Sequence, residues 1–300
     1  MGPGDKLRSG NPFEQWIKLY QQGKYAQALP LAQKACELAG EAYGQDHPDY
    51  VATLNNLAET YGAMGDYTAA EPLHRQALDI RRRTLGEHHP DYANSLNNLG
   101  ALYYAMGNYS AAEPLYRQAL EIRREILGED HPDYATSLNN LAVLYCATDN
   151  YAAAEPLHRQ ALEVRRKTLG EHHRLYAASL SNLGAVYLKM GNYAAAEPLY
   201  RQALEKQRQA LGENHPDYAT SLANLADLYR KMGNYAAAEP LFHQTLEIRR
   251  QTLGERHPVY ANTLAALGLL YCALGNYAAA EEINRQLQEI EGQGESRPDS

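Results

Sequence analysis

The sequence predicts an all-α protein, a solenoid of about seven helix-turn-helix units. Glycine, histidine and tyrosine recur along the chain at a constant step of 42 residues. Periods of about 20 to 50 residues are typical of repeat architectures, and apolar residues at helical spacing within each step favour stacked helices. Recurring sets include Gly44, Gly86, Gly128, Gly170, Gly212 and Gly254, and also His47, His89, His131, His173, His215 and His257.

The first helix of one unit is carried by the segment PDYATSLNNLAVLYCAT at 132–148. Tyr134, Leu138, Leu141 and Tyr145 follow at steps that place them on one helical face. Pro132 suits the first helical position, where the missing N–H leaves no bond unmade. We therefore expect each recurrent histidine to lie in a loop beside a helix start.

The second helix is carried by the segment DNYAAAEPLHRQALEVRRKTLG. Asn150 is a good N-cap, and Gly170 stands where a left-handed glycine ends a helix. Pro156 lies inside this helix and costs about 3 kcal/mol in a regular one, so we expect a bend near the start. Small residues at two positions predict close helix contacts. They are Ala70, Ala112, Ala154, Ala196, Ala238 and Ala280, and Ala77, Ala119, Ala161 and Ala203.

Composition and charge argue against several classes of protein. No apolar run reaches the roughly 20 residues that span a bilayer, and the N-terminus lacks the apolar stretch of a signal peptide. A net charge of −8 argues against nucleic acid or an anionic membrane as the partner. Cys36, Cys146 and Cys272 are too few and too far apart for a disulfide framework, which favours a reducing, cytoplasmic location.

The pattern LNNLAxLYxxxGNYxxAEPLxxxAL resembles the tetratricopeptide repeat. The segments LGxxHPxYAxSLNNLA and YxxAEPLYRQALEIR are similar to the kinesin-light-chain and nephrocystin type of that repeat. The resemblance covers about residues 12–291 and implies a right-handed superhelix whose first helices line a concave, peptide-binding groove. The near-identity of neighbouring repeats resembles bacterial arrays, and the coiled coil expected of a true kinesin light chain is missing.

The expected organisation is a flexible leader at 1–11, a single solenoid domain at 12–291 and a disordered tail at 292–300. The first unit has a first helix about two turns shorter than the others and is interpreted as an N-terminal cap. At the other end Ile283, Leu287 and Ile290 form an apolar stripe that no cap helix follows. The predicted units are about 12–44, 45–86, 87–128, 129–170, 171–212, 213–254 and 255–291.

No sequence pattern predicts catalysis, a cofactor or a metal site. Zinc needs about four ligands, but helix packing separates equivalent histidines of successive units by about 16–20 Å. The motifs HExxH, CxxC and GxSxG and a glycine-rich phosphate loop are missing. Glu71, Glu113 and their equivalents are interpreted as features of a helix start. We therefore expect a protein that is not an enzyme.

Arginine pairs recur near the ends of the second helices. Acidic residues such as Asp79 and Glu121 precede them by two positions, so a solvated, ion-paired outer face is favoured over a phosphate-binding stripe. The pairs are Arg81-Arg82, Arg123-Arg124, Arg165-Arg166 and Arg249-Arg250.

Two asparagine series mark a candidate binding face on the first helices. An amide both donates and accepts, so a row of amides can hold a peptide backbone whatever its sequence. We favour binding for the first series, whereas bonding between the helices of its own repeats is slightly favoured for the second. The first series is Asn55, Asn97 and Asn139, and the second is Asn56, Asn98, Asn140, Asn182 and Asn224.

The leading functional hypothesis is a scaffold for protein interaction that binds an extended or short helical peptide. Asparagines would hold the peptide backbone, and Lys189, Arg230 and Lys231 would select acidic side chains of the partner. The alternatives are self-association through the weakly capped end and a sensor arm of a larger effector protein. Nucleic acid is the least favoured partner, and no membrane partner is expected.

Overall fold

The described residues, 12–295 of a computed structural model, form fourteen α-helices and no strand. The all-α prediction is therefore confirmed, and the described helices form seven consecutive pairs, in agreement with the predicted number of about seven helix-turn-helix units. The helices are α1 (Pro12–Gln21), α2 (Tyr25–Tyr43), α3 (Pro48–Ala63), α4 (Tyr67–Leu85), α5 (Pro90–Ala105), α6 (Tyr109–Leu127), α7 (Pro132–Ala147), α8 (Tyr151–Leu169), α9 (Arg174–Lys189), α10 (Tyr193–Leu211), α11 (Pro216–Lys231), α12 (Tyr235–Leu253), α13 (Pro258–Ala273) and α14 (Tyr277–Glu295).

The helices fall into two compact units. The first ends at Asn150 and contains α1 to α7, and the second begins at Tyr151 and contains α8 to α14. Helix α14 continues to Glu295, four residues into the expected tail. The predicted leader at 1–11 and the last five residues of the predicted tail lie outside the described residues.

The first helices from α3 onward begin at a histidine cap. His89 is extended, with ψ 139°, and its Nδ1 accepts the N–H of Asp91 at 3.0 Å, while Pro90 takes the first helical position. The placement of the recurrent histidines beside helix starts is therefore confirmed. The same bond forms at His47, His131, His173, His215 and His257.

The two kinds of turn use different backbone conformations. After α5, Gly107 has φ 72°, and Asn108 then caps α6 by accepting the N–H of Ala111 at 3.3 Å. After α4, Gly86 has φ 82° and ψ 167°, and Gly170 has φ 80°, so the positive φ expected at these glycines is confirmed, although ψ of Gly86 is extended and not helical. This conformation is extended in ψ and is adopted readily only by glycine. The chain needs it because it must leave α4 in an extended direction to reach His89.

Small residues allow the two helices of a hairpin to approach closely. Ala70 and Ala77 are completely buried in α4, as expected from their recurrence. In the next hairpin Gly100 of α5 faces the ring of Tyr116 in α6, and a Cβ added to Gly100 would lie 2.8 Å from Tyr116 Cε1. One hairpin earlier the equivalent positions hold Ala58 and His74, so the larger ring occurs opposite the smaller residue.

The expectation for the arginine pairs is wrong for the first member of each pair. Arg123 is 4% exposed, and its Nη1 donates to the carbonyl of Asp133 at 3.0 Å and to the hydroxyl of Ser137 at 2.7 Å, both in the next hairpin. Helical geometry explains the error, since adjacent residues point about 100° apart and only one of them can face solvent. Arg124 does face solvent and pairs with Glu121.

The recurrent glutamates also have a different function from the one expected. Glu71 of α4 accepts the hydroxyl of Tyr103, from α5, at 2.8 Å, and Arg75 donates to the same hydroxyl at 2.6 Å. Glutamate, arginine and tyrosine therefore connect adjacent hairpins, and part of the high tyrosine content serves this contact. Equivalent tyrosine–glutamate bonds are Tyr145 to Glu113, Tyr187 to Glu155, Tyr229 to Glu197 and Tyr271 to Glu239.

Replacing Gly100 with alanine should destabilise the protein. The added Cβ would overlap the Tyr116 ring, and overpacking of this kind costs about 1–3 kcal/mol. Gly62→Ala is the matched control, because a Cβ there meets only Leu102 Cδ1 at 3.8 Å. Urea unfolding should show a lower midpoint for Gly100→Ala, partial recovery in Gly100→Ala/Tyr116→His, and no loss for Gly62→Ala. Equal midpoints for the two alanine variants would contradict this packing argument.

Candidate functional site

The two asparagine series differ in burial, in the opposite sense to the sequence-based preference. Asn55 and Asn97 of the first series are buried, and Asn139 is half-buried. The Oδ1 atom of Asn55 lies 3.1 Å from Nδ1 of His74, so this amide connects α3 to α4 within one hairpin. The second series is half-buried throughout, at Asn56, Asn98, Asn140, Asn182 and Asn224.

Asn97 lies at the centre of a polar network between hairpins. With its amide oxygen turned towards Arg123, it accepts from Nη1 at 2.8 Å and from the Ser137 hydroxyl at 3.2 Å. This orientation is required because a guanidinium only donates. The amide of Asn140 lies 3.4 Å from that of Asn97. Asn97 therefore holds the next hairpin through Arg123 and Ser137, and the more accessible Asn140 lies beside it.

A polar pocket of about 430 Å³ opens in the first unit between α3, α5 and α7. Its floor includes side chains from the second helices α4 and α6, and among the described residues that line it none is aspartate or glutamate. The lining residues are Ala52, Asn55, Asn56, Arg81, Asn94, Asn97, Asn98, Ala101, Arg123, Thr136 and Asn140. The pocket therefore combines six amides and two guanidinium groups on one surface.

The guanidinium groups of this polar pocket bind neutral acceptors. Arg81 Nη1 donates to the carbonyl of Asp91 at 2.7 Å and to the hydroxyl of Ser95 at 3.1 Å. Arg123 Nη2 donates to Oδ1 of Asn94, and its Nε has no hydrogen-bond partner among the described residues. Burial lowers the pKa of both guanidinium groups, and the charges of Asp91 and Asp133 partly oppose that effect. Both side chains remain cationic at neutral pH because arginine titrates far above it.

A smaller apolar pocket of about 170 Å³ adjoins the polar pocket and shares Asn98 and Ala101 with it. The apolar pocket exists because position 62 is glycine, whereas the equivalent positions carry larger side chains such as Tyr104 and Leu188. Its remaining lining residues are Ala58, Glu59, Gly62, Tyr67, His74, Leu102 and Ala105. Glu59 is exposed overall, but partial desolvation by the surrounding side chains raises the pKa of its carboxyl.

The predicted cationic residues lie in the second unit. Lys189 and Lys231 are exposed at the ends of α9 and α11. Arg230 is half-buried and bonded to Asp227 at 2.5 Å, one turn earlier on the same helix. Its charge is therefore largely balanced within the protein, and the two lysines carry the accessible positive charge of this group.

Neither metal-binding nor membrane-spanning features are found in the described part of the chain. No group of three histidine, cysteine or carboxylate side chains converges there as a metal site would require. Its helices also include none with both the length and the apolar character needed to cross a bilayer.

The sequence matches the family model of the tetratricopeptide repeat in six overlapping stretches that together span 19–290. They are residues 19–83, 49–125, 105–167, 133–209, 175–242 and 223–290. The chain belongs to the tetratricopeptide repeat family. Proteins of this family are generally scaffolds for protein interaction. A comparison with curated protein sequences finds no match.

Solved structures of kinesin-light-chain-like repeat proteins resemble this chain, which confirms the predicted type. A putative kinesin light chain with nearly identical repeats from Podosopora anserina is 29% identical, covers 69% of this chain and 98% of its own, and has a TM-score of 0.59. BtubC (BKLC) from P. vanneervenii is 27% identical, with 80% and 94% covered and a TM-score of 0.63. A signal-transduction ATPase with a tetratricopeptide repeat sensor, from Pyrococcus horikoshii, shares the fold at 17% identity over 94% of this chain and 42% of its own, with a TM-score of 0.65.

Acid should destabilise this repeat protein through its buried histidines. Burial lowers the pKa of His74 and of His158 to about 4, against about 6.5 in an unfolded chain. As the pH falls through this interval, the unfolded chain binds protons that the folded chain does not. The free energy of unfolding should therefore drop between pH 6.5 and 4, by about 2–3 kcal/mol for each histidine at pH 4.5.

His74→Phe should make this pH dependence shallower, since phenylalanine occupies the equivalent position at Phe242. His88→Phe is the control, because the His88 side chain is 83% exposed. Urea unfolding from pH 4.5 to 7 measures both slopes. A slope in His74→Phe as steep as that of the unchanged protein would contradict the assignment.

Proposed function

We propose that the protein is a non-catalytic interaction module that binds a peptide segment of a partner along its first helices. The observation that supports this most directly is the adjacency of the two pockets in the first unit. Both are lined by the first helices α3 and α5, and they share Asn98 and Ala101. A continuous surface with one polar and one apolar recess suits a peptide that presents different side chains along its length.

Backbone recognition is assigned to the half-buried second series. Asn98 lines both pockets, and Asn140 lines the polar one. An amide at such a position can donate to a peptide carbonyl and accept from a peptide N–H, so it does not select by sequence. Asn55 and Asn97 support this surface from below, because their amides are engaged with His74 and Arg123.

Selection of side chains is assigned to the pockets and to the exposed lysines. The apolar pocket has the size for one aliphatic side chain. Lys189 and Lys231 are exposed on the first helices of the second unit and favour an acidic segment there. Arg230 has a smaller part in this selection, because Asp227 already pairs with it.

A peptide-display selection against the full chain, followed by calorimetry of the selected peptides, tests this proposal. Asn98→Ala/Asn140→Ala should weaken binding by about tenfold or more, the loss of two hydrogen bonds at about 1 kcal/mol each. Lys231→Glu should weaken the binding of peptides with an acidic segment. Arg250→Glu is the charge-matched control, since Arg250 is exposed and paired with Glu247 on a second helix.

Unchanged affinity in both groove variants, or an equal loss in Arg250→Glu, would remove the support for this surface as the binding site. Light scattering across a concentration series separates the alternative of self-association, since a chain that remains monomeric at all concentrations does not self-associate.

A further inference from the structure

The polar pocket contains two cationic side chains whose charge no neighbouring carboxylate balances directly. Arg81 and Arg123 donate to backbone carbonyls, hydroxyls and amides, and neither forms a side-chain ion pair with another described residue. A buried charge is costly unless an opposite charge or hydrogen bonds compensate it. Asp91 and Asp133 are near enough to oppose the effect of burial, but they do not line the pocket.

The polar pocket also contains an excess of hydrogen-bond donors over negatively charged acceptors. Arg123 is more than nine-tenths buried and lines the pocket, and its inaccessible Nε has no partner among the described residues, a feature that Arg165 of the second unit shares. Both recorded hydrogen bonds of Arg81 leave from Nη1 alone. The amides of Asn56, Asn98 and Asn140 add further donors at the rim. A ligand that fits here supplies several acceptor oxygens and more than one negative charge.

We propose that the polar pocket binds the phosphoryl group of a phosphorylated side chain in the partner peptide, an assignment that rests on the proposed function. A phosphate monoester carries a charge of about −1.5 to −2 at neutral pH and three acceptor oxygens. A carboxylate carries one charge and would balance only one of the two guanidinium groups. Arginine also suits phosphate oxygens geometrically, because its planar fork can donate two parallel bonds.

The second unit lacks an equivalent pair of arginines in successive hairpins. Arg165 is buried and donates to the Ser179 hydroxyl at 2.8 Å, but the next repeat carries Gln207 at the same position. Ser181 and Ala223 replace the first-series asparagines there. The phosphate site is therefore restricted to the first unit. Gln207 also shows that glutamine is accommodated at this buried position, which makes arginine-to-glutamine variants suitable probes.

The test compares matched peptides on the full chain. A degenerate peptide array with phosphoserine, serine or glutamate at one fixed position identifies the best binders, and calorimetry then measures each phosphopeptide against its serine and glutamate twins. The phosphopeptide should bind at least tenfold more tightly than both twins. Arg123→Gln should abolish that difference, whereas Arg165→Gln should preserve it.

Folding of each variant is checked by circular dichroism and thermal unfolding. Should Arg123→Gln not fold, Arg81→Gln replaces it, because Arg81 is only half-buried and makes fewer contacts. Equal affinity of phosphopeptide and serine twin overturns the inference but leaves the proposed function intact, provided that Asn98→Ala/Asn140→Ala still weakens binding. An array on which no peptide binds in any form overturns both.

A titration of inorganic phosphate into the full chain, followed by ³¹P line broadening, tests whether the pocket binds free phosphate. The result distinguishes a site for the free anion from a site for a phosphorylated peptide. Arg123-dependent competition between phosphate and the phosphopeptide supports the proposal. Arg123-dependent binding of phosphate without any preference for the phosphopeptide overturns the peptide as its source.

Discussion

In the first unit, the arrangement of the hairpins from α3 to α7 depends on an arginine of each second helix, which donates hydrogen bonds to the first helix that follows. A two-helix hairpin cannot bury its own apolar face, so a repeat array is stable only when each hairpin covers its neighbour. Arg123 fixes that contact by meeting a carbonyl and a hydroxyl near the start of α7. The same arginine lines the polar pocket, so the group that orders the hairpins also supplies the charge of the candidate site.

The tyrosine-centred contacts act at the other side of the same interface. Glu71 and Arg75 from one hairpin both bind the hydroxyl of Tyr103 from the next. The interfaces from α4 to α5 and from α6 to α7 therefore each have one arginine anchor and one tyrosine anchor, whereas Ala39 stands at the arginine position in α2. A polar anchor has strict geometry, whereas apolar packing tolerates sliding, so the two anchors together define the register between hairpins.

The sequence was sufficient to predict the fold class, the helix pairs and the position of the histidines beside helix starts, because these depend on local spacing and on residues with strong backbone preferences. The site was harder to predict. Asn97 and Asn98 are adjacent and chemically identical, and only a rotation of about 100° around the helix makes one a buried support and the other accessible. Arg123 and Arg124 differ in the same way. Sequence shows how often such residues recur, but not which neighbouring hairpin provides their partners.

In two hairpins of the first unit, the size of the ring on the second helix matches the size of the residue opposite it on the first helix. This has a consequence for how such a chain can evolve. Gly100 and Tyr116 lie in one hairpin, and Ala58 and His74 lie in another, so each fit is complete within a single 42-residue segment. The contacts between segments, by contrast, use the same residue types in most repeats. Duplication or deletion of a whole 42-residue segment therefore preserves the side-chain packing within each hairpin. The new contact between hairpins uses the same residue types as the contacts already present. Array length can vary in whole repeats while recognition residues diverge one segment at a time.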